Sequence, residues 1–438
     1  MHAVITKKQT PINILFSGWI NLAHSYSLVN CFQLLHLYKN YGPSGKITKN
    51  AIQIYVQEAP YYNPDWNSKK KLVYSNEYNE IILGFQVWNG EDVDLIYSIT
   101  YPYNINVTSE NKSIPKCVFY TSEFSRLDHT YFQLEKPTGL DKTQYDDYIT
   151  LFLKEFNNIY FTAPSEWSTK GITRFLDNNS RNRVITHGVD TTIFKKDVSQ
   201  RAVIRQMYNI KDTDILMINI GAMTTNKGIL LILEAMNILV NQLHQIQFKL
   251  LLKGSGELYK CQEFLESYFD QFKQLNIITQ EGIDNLLQNH IIFTNKTLSY
   301  KRINDLFNAS DLYISPYLAE GYNLTPHEAI TSGLHVLVPK TGSTKEYIEL
   351  LYLNGGEDYI TFVDSDISSD QNGLCQNEIK VTNLVNSILQ NQERFKAKIS
   401  DEVYHKMQSF IQKELSWDKV STLLMTYFQD IVNSPLQN

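Results

Sequence analysis

The stretch "DLYISPYLAEGYNLTPHEAITSGLHVLVPKTGSTKEYI" (311–348) decides the fold, because a strand-like run, a loop, a helix and a second strand-like run follow one another in it. Pro326 excludes a helix running through the middle of "EGYNLTPHE" (320–328). We therefore expect Glu320 in a loop at the carboxyl end of a strand and Glu328 in the first turn of the next helix. Both carboxylates would then point at one small volume.

The start of that helix supports two interpretations. Thr325 as N-cap, Pro326 at N1 and Glu328 at N3 would form a capping box, in which Glu328 only binds a main-chain N–H. Glu320 has no such structural role. The alternative is a ligand site, because the N–H groups and dipole of a helix N-terminus around 323–326 suit a phosphate. Flanking carboxylates suit hydroxyl groups, so the combination indicates a nucleotide-sugar.

Outward from this stretch, the unit of strand, loop and helix recurs along the chain. Alternating strands and helices with short connections predict parallel sheets covered on both faces. A polar passage at 195–213 separates two such series and is interpreted as a linker. The sequence therefore predicts an α/β protein with two doubly wound, Rossmann-like domains, at 1–200 and 201–415. A last amphipathic helix, within 416–438, is expected to pack back on the N-terminal domain.

Composition limits the classes of protein. Of the 438 residues, 43% are hydrophobic and 20% charged, which is typical of a globular protein with large cores. The net charge of −6 argues against nucleic acid as a partner. Four distant cysteines without a CxxC pair argue against structural zinc and a disulfide framework. With no signal peptide and no run near the roughly 18 apolar residues of a membrane span, we expect a cytoplasmic protein. Peripheral contact with a membrane stays open.

Two glycine-containing loops follow strand-like runs in the C-terminal half. "GAMTTNKG" (221–228) places Lys227 at a helix start, where a cation opposes the helix dipole unless it faces an anion such as a diphosphate. The spacing is not that of a P-loop. In "GSGE" (254–257) the third glycine of a dinucleotide motif would fall on Tyr259, so we interpret these glycines as a tight turn.

Acidic pairs are the candidate metal ligands. They occur in "DVD" (92–94), "DTD" (212–214) and "DSD" (364–366), none of which follows a clear strand in the C-terminal half. The sequence therefore predicts neither a metal nor a cofactor. In the N-terminal half, Gly18, His24, Ser25 and Glu123 lie near expected carboxyl edges of strands. Each either faces the cleft or is a structural group, and His187-Gly188 is interpreted as a turn.

Together these stretches resemble the retaining glycosyltransferases of the GT-B fold, family 4, glycosyl transferases group 1. Glu320 and Glu328 match that family's two-glutamate spacing, and "INIGAMTTNKGILLILEA" resembles the strand and Lys-Gly loop that hold the donor diphosphate. "LLLKGSGELY" resembles the strand and glycine turn that follow. The similarity is close from about residue 160 onward and loose over 12–160.

The resemblance implies two Rossmann-like domains facing a central cleft, an N-terminal one for the acceptor and a C-terminal one for the donor. It implies retaining transfer of a sugar from a UDP- or GDP-linked donor to a glycan, lipid or protein, without metal. Glu320 would bind the donor sugar and Lys227 the diphosphate. Glu328 would bind the ribose, and acceptor-side candidates are Gly18, His24 and Glu123. The remaining substrate-binding candidates are Gly321, Tyr322, Asn323, Leu324 and Thr325.

Two positions depart from the family pattern. Ala222 stands where the family usually has an arginine, and Asn323 where it usually has a second glycine. Two alternatives to a transferase therefore stay open. One is a nucleotide-sugar epimerase of the same fold, and the other is a non-catalytic interaction module.

Overall fold

The computed structural model describes residues 11–434 except Lys136, Asn178 and Lys398. The outermost parts of the two expected terminal units, residues 1–10 and 435–438, lie outside the described residues.

A parallel sheet organises the N-terminal half. Its strands are joined in the order β3-β2-β1-β4-β6-β8-β9, while β5 and β7 form a separate pair. The strands are β1 (Ile12–Gly18), β2 (Ile52–Glu58), β3 (Gln86–Val87), β4 (Leu95–Ile99), β5 (Tyr103–Asn104), β6 (Lys116–Phe119), β7 (Phe132–Gln133), β8 (Ile159–Ala163) and β9 (Asn182–Val184).

A second parallel sheet organises the C-terminal half, in the order β12-β11-β10-β13-β14-β15, and β16 pairs with β17 as a small antiparallel ribbon. The strands are β10 (Ile215–Ile220), β11 (Phe248–Lys253), β12 (Ile291–Thr294), β13 (Leu312–Ile314), β14 (His335–Pro339), β15 (Ile360–Val363), β16 (Asp366–Ser369) and β17 (Cys375–Glu378).

Helices cover both sheets. They are α1 (Ser25–Tyr41), α2 (Asn76–Leu83), α3 (Lys142–Glu155), α4 (Glu166–Thr173), α5 (Arg201–Met207), α6 (Ile229–Asn237), α7 (Cys261–Gln274), α8 (Gln280–Asn289), α9 (Tyr300–Ala309), α10 (Leu324–Thr331), α11 (Thr344–Leu351), α12 (Val381–Lys396), α13 (Asp401–Glu414) and α14 (Trp417–Asn433). Strands such as β10 and β14 are near-continuous apolar runs because both of their faces are buried. The predicted α/β fold with two Rossmann-like sheets is confirmed.

The polar passage 195–213 is not simply a linker. It contains α5, which packs against α9 of the C-terminal half. Arg205 in α5 is 3% exposed and forms an ion pair of 3.0 Å with Asp311, which precedes β13. The polar residues of this passage suggested a linker, but the arginines among them bind the C-terminal core. Nothing in the local sequence pattern shows that partner.

The last helix returns to the N-terminal sheet. His36 Nδ1 of α1 lies 2.8 Å from Asp418 Oδ1 of α14, and the Phe32 and Trp417 rings stack with centroids 5.2 Å apart. Where the chain crosses back, Val189 N donates to Leu415 O at 3.0 Å. The polypeptide therefore passes between the two halves twice, and the two passages are hydrogen-bonded to each other. No helix among the described residues has the length and hydropathy to span a membrane.

Candidate active site

The carboxyl ends of both sheets open into one cleft of about 880 Å³. Its N-terminal wall comes from the loops after β1, β4 and β6, and its C-terminal wall from the loops after β10, β11 and β13. Ligands of open α/β sheets bind at this edge. The cleft is therefore the candidate site, and the predicted residues can be placed against it.

The loop Glu320–Asn323 is held from behind by buried hydroxyl groups. Its four consecutive main-chain oxygens accept hydrogen bonds from Ser343 Oγ (2.7 Å), Ser165 Oγ (2.6 Å), Thr344 Oγ1 (3.2 Å) and Tyr347 Oη (2.7 Å), in that order. The main-chain N–H groups of Gly321 to Thr325 make no hydrogen bond to another described residue. The loop therefore offers preorganised donors to an anion.

The predicted capping box is wrong. The N-cap of α10 is Asn323, so Thr325 lies at N2, Pro326 at N3 and Glu328 at N5, beyond the first turn. Pro326 is tolerated there because the N–H groups of the first helical turn have no intrahelical partner. The Glu328 carboxylate caps nothing. It lines the cleft and makes no hydrogen bond or ion pair with another described residue.

Asn323 keeps the backbone conformation that a glycine would give. Its φ of 70° and ψ of 80° are left-handed, a region that asparagine tolerates better than most residues with a side chain. The side chain turns to Ser315, with Nδ2 donating to Oγ at 3.1 Å. Asparagine at a position where the family pattern has glycine therefore leaves the conformation of the turn unchanged.

Gly321 and Tyr322 serve the site through their main chains. A Cβ on Gly321 would lie 1.8 Å from Thr121 Oγ1, so only glycine fits against the N-terminal wall. The Tyr322 ring stacks on Tyr347 with centroids 4.6 Å apart, and its hydroxyl donates to His187 O at 2.9 Å. Its side chain is thus committed to the protein interior.

A buried charge cluster lies beside this loop. Lys227 forms an ion pair with Glu320, which is 6% exposed, and Glu123 of the opposite wall is close to both. Burial alone would lower the pKa of Lys227, but the carboxylates of Glu320 and Glu123 raise it above its usual value. Burial raises the pKa of Glu123, which Lys227 only partly offsets. Lys227 is therefore a permanent cation.

The residue after Lys227 fixes the position of its loop. Gly228 has a φ of 72°, and a Cβ there would lie 2.0 Å from the main-chain oxygen of Pro316. Asn226 O accepts from Leu318 N at 2.7 Å, which ties the same loop to the one that carries Glu320. The glycine after Lys227 is thus a geometric requirement of two loops in close contact.

Lys253 is a cleft residue that the sequence patterns did not single out. It ends β11, lines the cleft, and makes no side-chain hydrogen bond or ion pair with another described residue. Burial lowers its pKa. Burial also raises the pKa of Glu328 to about 8, against the attraction of Lys253. Lys253 ends the apolar run "FKLLLK". Because ligands bind at the carboxyl ends of parallel strands, this position alone would have indicated the lysine.

Lys253 adjoins the loop in which Ala222 replaces an arginine. Its main-chain oxygen accepts from Gly221 N at 3.1 Å, one residue before Ala222. A second cation, unpaired among the described residues, is therefore present beside Lys227 and close to the position where the family pattern has an arginine.

The N-terminal candidates fall into two groups. His24 and Glu123 line the cleft, as does Ser25, whereas Gly18 does not. Gly18 instead packs under the first loop, where a Cβ would lie 2.5 Å from Ile99 Cγ2. Its small size is needed for this packing, and its assignment as an acceptor-side residue stays a prediction.

The two walls also touch each other. His24 Nε2 lies 2.8 Å from the Tyr259 hydroxyl, and burial lowers the pKa of His24 to about 4. Trp66 Nε1 donates to Leu258 O at 3.2 Å. Asn226 Nδ2 donates to Glu123 Oε2 at 3.1 Å. His187 lines the floor of the cleft, while its neighbour Gly188 packs against Trp417 N.

Residues 200–355 match the family described as glycosyl transferases group 1. This match confirms the resemblance over that segment, which contains Lys227, Lys253, Glu320 and Glu328. No curated protein matches the chain significantly.

Solved structures give the fold of the whole chain. Anabaena HepE in complex with UDP-glucose has a TM-score of 0.58 at 13% identity, covering 96% of this chain and 100% of that one. Sucrose-phosphate synthase from Thermosynechococcus elongatus has a TM-score of 0.57 at 13% identity, covering 96% and 99%. WaaG, a glycosyltransferase involved in lipopolysaccharide biosynthesis, has a TM-score of 0.52 at 13% identity, covering 96% and 100%. At such identities the similarity establishes the GT-B architecture alone.

Among the described residues, no group of three or more histidine, cysteine, aspartate or glutamate side chains is arranged to hold a metal ion. The three acidic pairs considered from the sequence are thus not part of such a group.

Proposed function

We propose that this protein is a retaining glycosyltransferase that moves a sugar from a UDP- or GDP-linked donor to an acceptor. One observation carries the proposal. Free main-chain N–H groups, Lys227 and the unpartnered Glu328 converge on one end of the cleft. The family match over 200–355 supports it, and so does the UDP-glucose bound by the similarly folded Anabaena protein.

The donor is bound by groups with complementary charge. The diphosphate lies against the N-terminus of α10, with Lys227 and Lys253 supplying positive charge. Glu328 accepts hydrogen bonds from the ribose hydroxyls, which gives its carboxylate the partners it lacks in the protein. Glu320 binds hydroxyls of the transferred sugar, and its ion pair holds Lys227 in place before the donor arrives.

The reaction follows from the charge that develops. When the bond between the sugar carbon and the phosphate oxygen breaks, the pair of electrons stays on the diphosphate, where Lys227 and the N–H groups stabilise it. The sugar becomes oxocarbenium-like. The acceptor hydroxyl attacks from the same face, and the leaving phosphate oxygen takes its proton. Retention then needs no protein nucleophile and no dedicated base.

We propose that transfer needs no metal ion, since the lysines and the helix N-terminus supply the positive charge. Activity should persist in excess chelator. Loss of activity with EDTA that one divalent ion restores would overturn this part of the proposal.

The test of function begins with binding. Thermal shift and calorimetry with UDP, GDP and ADP, each with and without a linked hexose, should identify one nucleotide that stabilises the protein. Release of that nucleotide from its sugar is then followed by chromatography, with and without added acceptor. Release that depends on acceptor supports a transferase. Altered sugar configuration without acceptor supports an epimerase, and binding without turnover supports an interaction module.

A further inference from the structure

The N-terminal wall of the cleft is aromatic. Tyr62 and Tyr101 lie with ring centroids 5.2 Å apart, Tyr101 and Tyr131 6.3 Å apart, and Tyr26 and Tyr101 6.4 Å apart. All four line the cleft, and Tyr62 is 61% exposed. Aromatic rings that line a cleft and are open to water are typical of a ligand-binding surface.

The same wall lacks positive charge. Among the described residues that line it, none is lysine or arginine, and its only charged group is the carboxyl of Glu123. All the lysines of the cleft come from the opposite wall. An acceptor that carries phosphate or carboxylate would find no cation on this wall and would be repelled by the donor diphosphate bound opposite.

The wall also carries unused polar groups. The hydroxyls of Tyr62, Tyr101 and Tyr131 make no hydrogen bond to another described residue. A purely apolar acceptor would cover these hydroxyls without giving them partners, which is costly. A molecule with an apolar C–H face and hydroxyls at its edge would satisfy both the rings and their hydroxyls.

Contacts across the cleft restrict the size of the acceptor. The pairs His24–Tyr259 and Trp66–Leu258 join the two walls across the cleft. A compact molecule can enter beside them, whereas a folded protein loop would have to break them.

We propose that the acceptor is an uncharged saccharide, which packs a sugar ring on Tyr62, Tyr101 and Tyr131 and directs a hydroxyl toward Glu123. This inference rests on the proposed transferase function and narrows its acceptor from glycan, lipid or protein to a neutral glycan. The tyrosines are then specificity-determining residues for the acceptor.

The experiment measures acceptor binding while the donor site is filled with the nucleoside diphosphate that the thermal-shift screen identifies, so that no sugar phosphate can bind there and no transfer occurs. Saturation-transfer NMR on the full chain would compare neutral probes (maltose, cellobiose, lactose and mannobiose) with glucose 6-phosphate, mannose 6-phosphate and farnesyl phosphate. We expect at least one neutral disaccharide to bind more tightly than every phosphorylated probe. A phosphorylated probe that binds more tightly than all four disaccharides, or no disaccharide binding at all, would overturn the inference.

Variants connect the binding to the wall. Tyr62→Ala should weaken binding of the best disaccharide by roughly three- to tenfold, and Tyr62→Phe, which keeps the ring, should weaken it less. Tyr352→Ala removes a partly exposed tyrosine outside the cleft and should have no effect. Equal effects of Tyr62→Ala and Tyr352→Ala would contradict the inference. UDP and GDP titrations of the same proteins are the control for the donor site. If nucleotide binding is normal, the failure concerns the acceptor inference and not the proposed donor site.

Discussion

The two walls of the cleft are built by the same architecture and carry opposite chemistry. In both sheets the first strand lies centrally, with the next two strands of the main sheet on one side and the later ones on the other. The C-terminal wall presents lysines and glutamates, including the unpaired Lys253 and Glu328. The N-terminal wall presents tyrosines and a single carboxyl.

This difference indicates that the shared sheet architecture determines where a ligand binds, whereas the loops determine which ligand binds. The proposed donor diphosphate needs cations and N–H groups, which the C-terminal wall offers. The proposed neutral acceptor needs surface and hydrogen bonds, which the aromatic wall offers. Substitutions that move charge out of the C-terminal wall should therefore act on the donor first.

The largest effect is expected from Lys227→Met. Loss of the cation that faces the leaving diphosphate should lower turnover by roughly 10²- to 10³-fold, measured as steady-state nucleotide release. The substitution also leaves Glu320 buried without its partner, which should lower the free energy of unfolding by up to about 3 kcal/mol.

The double variant Lys227→Met/Glu320→Gln separates the two effects. It should recover much of the stability, because the buried carboxylate at position 320 is gone, but none of the turnover. A double variant with restored turnover would show that Lys227 acts only through the fold.

The next effect concerns the two glutamates. At pH 9, where the carboxylate is ionised, Glu328→Gln should weaken binding of the free nucleoside diphosphate about tenfold to hundredfold, since a charge-assisted bond to ribose is worth roughly 1.5–3 kcal/mol. Glu320→Gln should hardly change that affinity but should weaken binding of the sugar-linked donor. Calorimetry with nucleotide and with donor checks both, and equal small changes in all four titrations would mean that the carboxylates are structural.

A smaller loss, about tenfold in nucleotide affinity, is expected from Lys253→Met. Lys249→Met is the matched control, because Lys249 lies on the same strand but its Nζ donates to Asn289 O, outside the cleft. The pair Lys253→Met/Ala222→Arg should recover affinity if Lys253 supplies the charge that Ala222 lacks. No loss with Lys253→Met would show that the lysine does not contact the nucleotide.

The smallest effect is a change in the pH dependence of stability. The pKa of Glu328 is about 8 in the folded protein, above its ordinary value of 4.5, so between these values the folded state holds a proton that the unfolded state has lost. The stability contribution of this group therefore falls as pH rises through that window. Glu328→Gln should reduce the loss of unfolding free energy between pH 5 and 9 by on the order of 1 kcal/mol, as measured by urea denaturation. The effect is small because solvent screens a group that is only half-buried. A slope unchanged by the substitution would show that Glu328 is ionised throughout.

The sequence predicts the parts of the site that follow from local pattern. Glu320 and Lys227 are found because each follows an apolar run, and parallel strands present their carboxyl ends at one edge. The residue at which α10 begins could not be predicted from local pattern. Hydroxyls from Ser165, Ser343, Thr344 and Tyr347, far apart in sequence, hold the loop before it and move the N-cap to Asn323.

The aromatic wall shows a second limit of sequence reasoning. Tyr62, Tyr101 and Tyr131 lie in three separate loops, with no periodicity that relates them. Only the fold brings their rings together. In a chain with 28 tyrosines, no local signal distinguishes these three from the others.

The paired passages of the chain between the two domains have a mechanical consequence. Because Val189 is hydrogen-bonded to Leu415 and pairs with Ser416, both connections lie on one line. Two connections on one line act as a hinge, about which one domain swings relative to the other with little distortion of either. The contacts of His24 with Tyr259, Trp66 with Leu258 and Asn226 with Glu123 join the walls across the cleft and would part if it opened. The paired passages would meanwhile keep the two domains attached along one line.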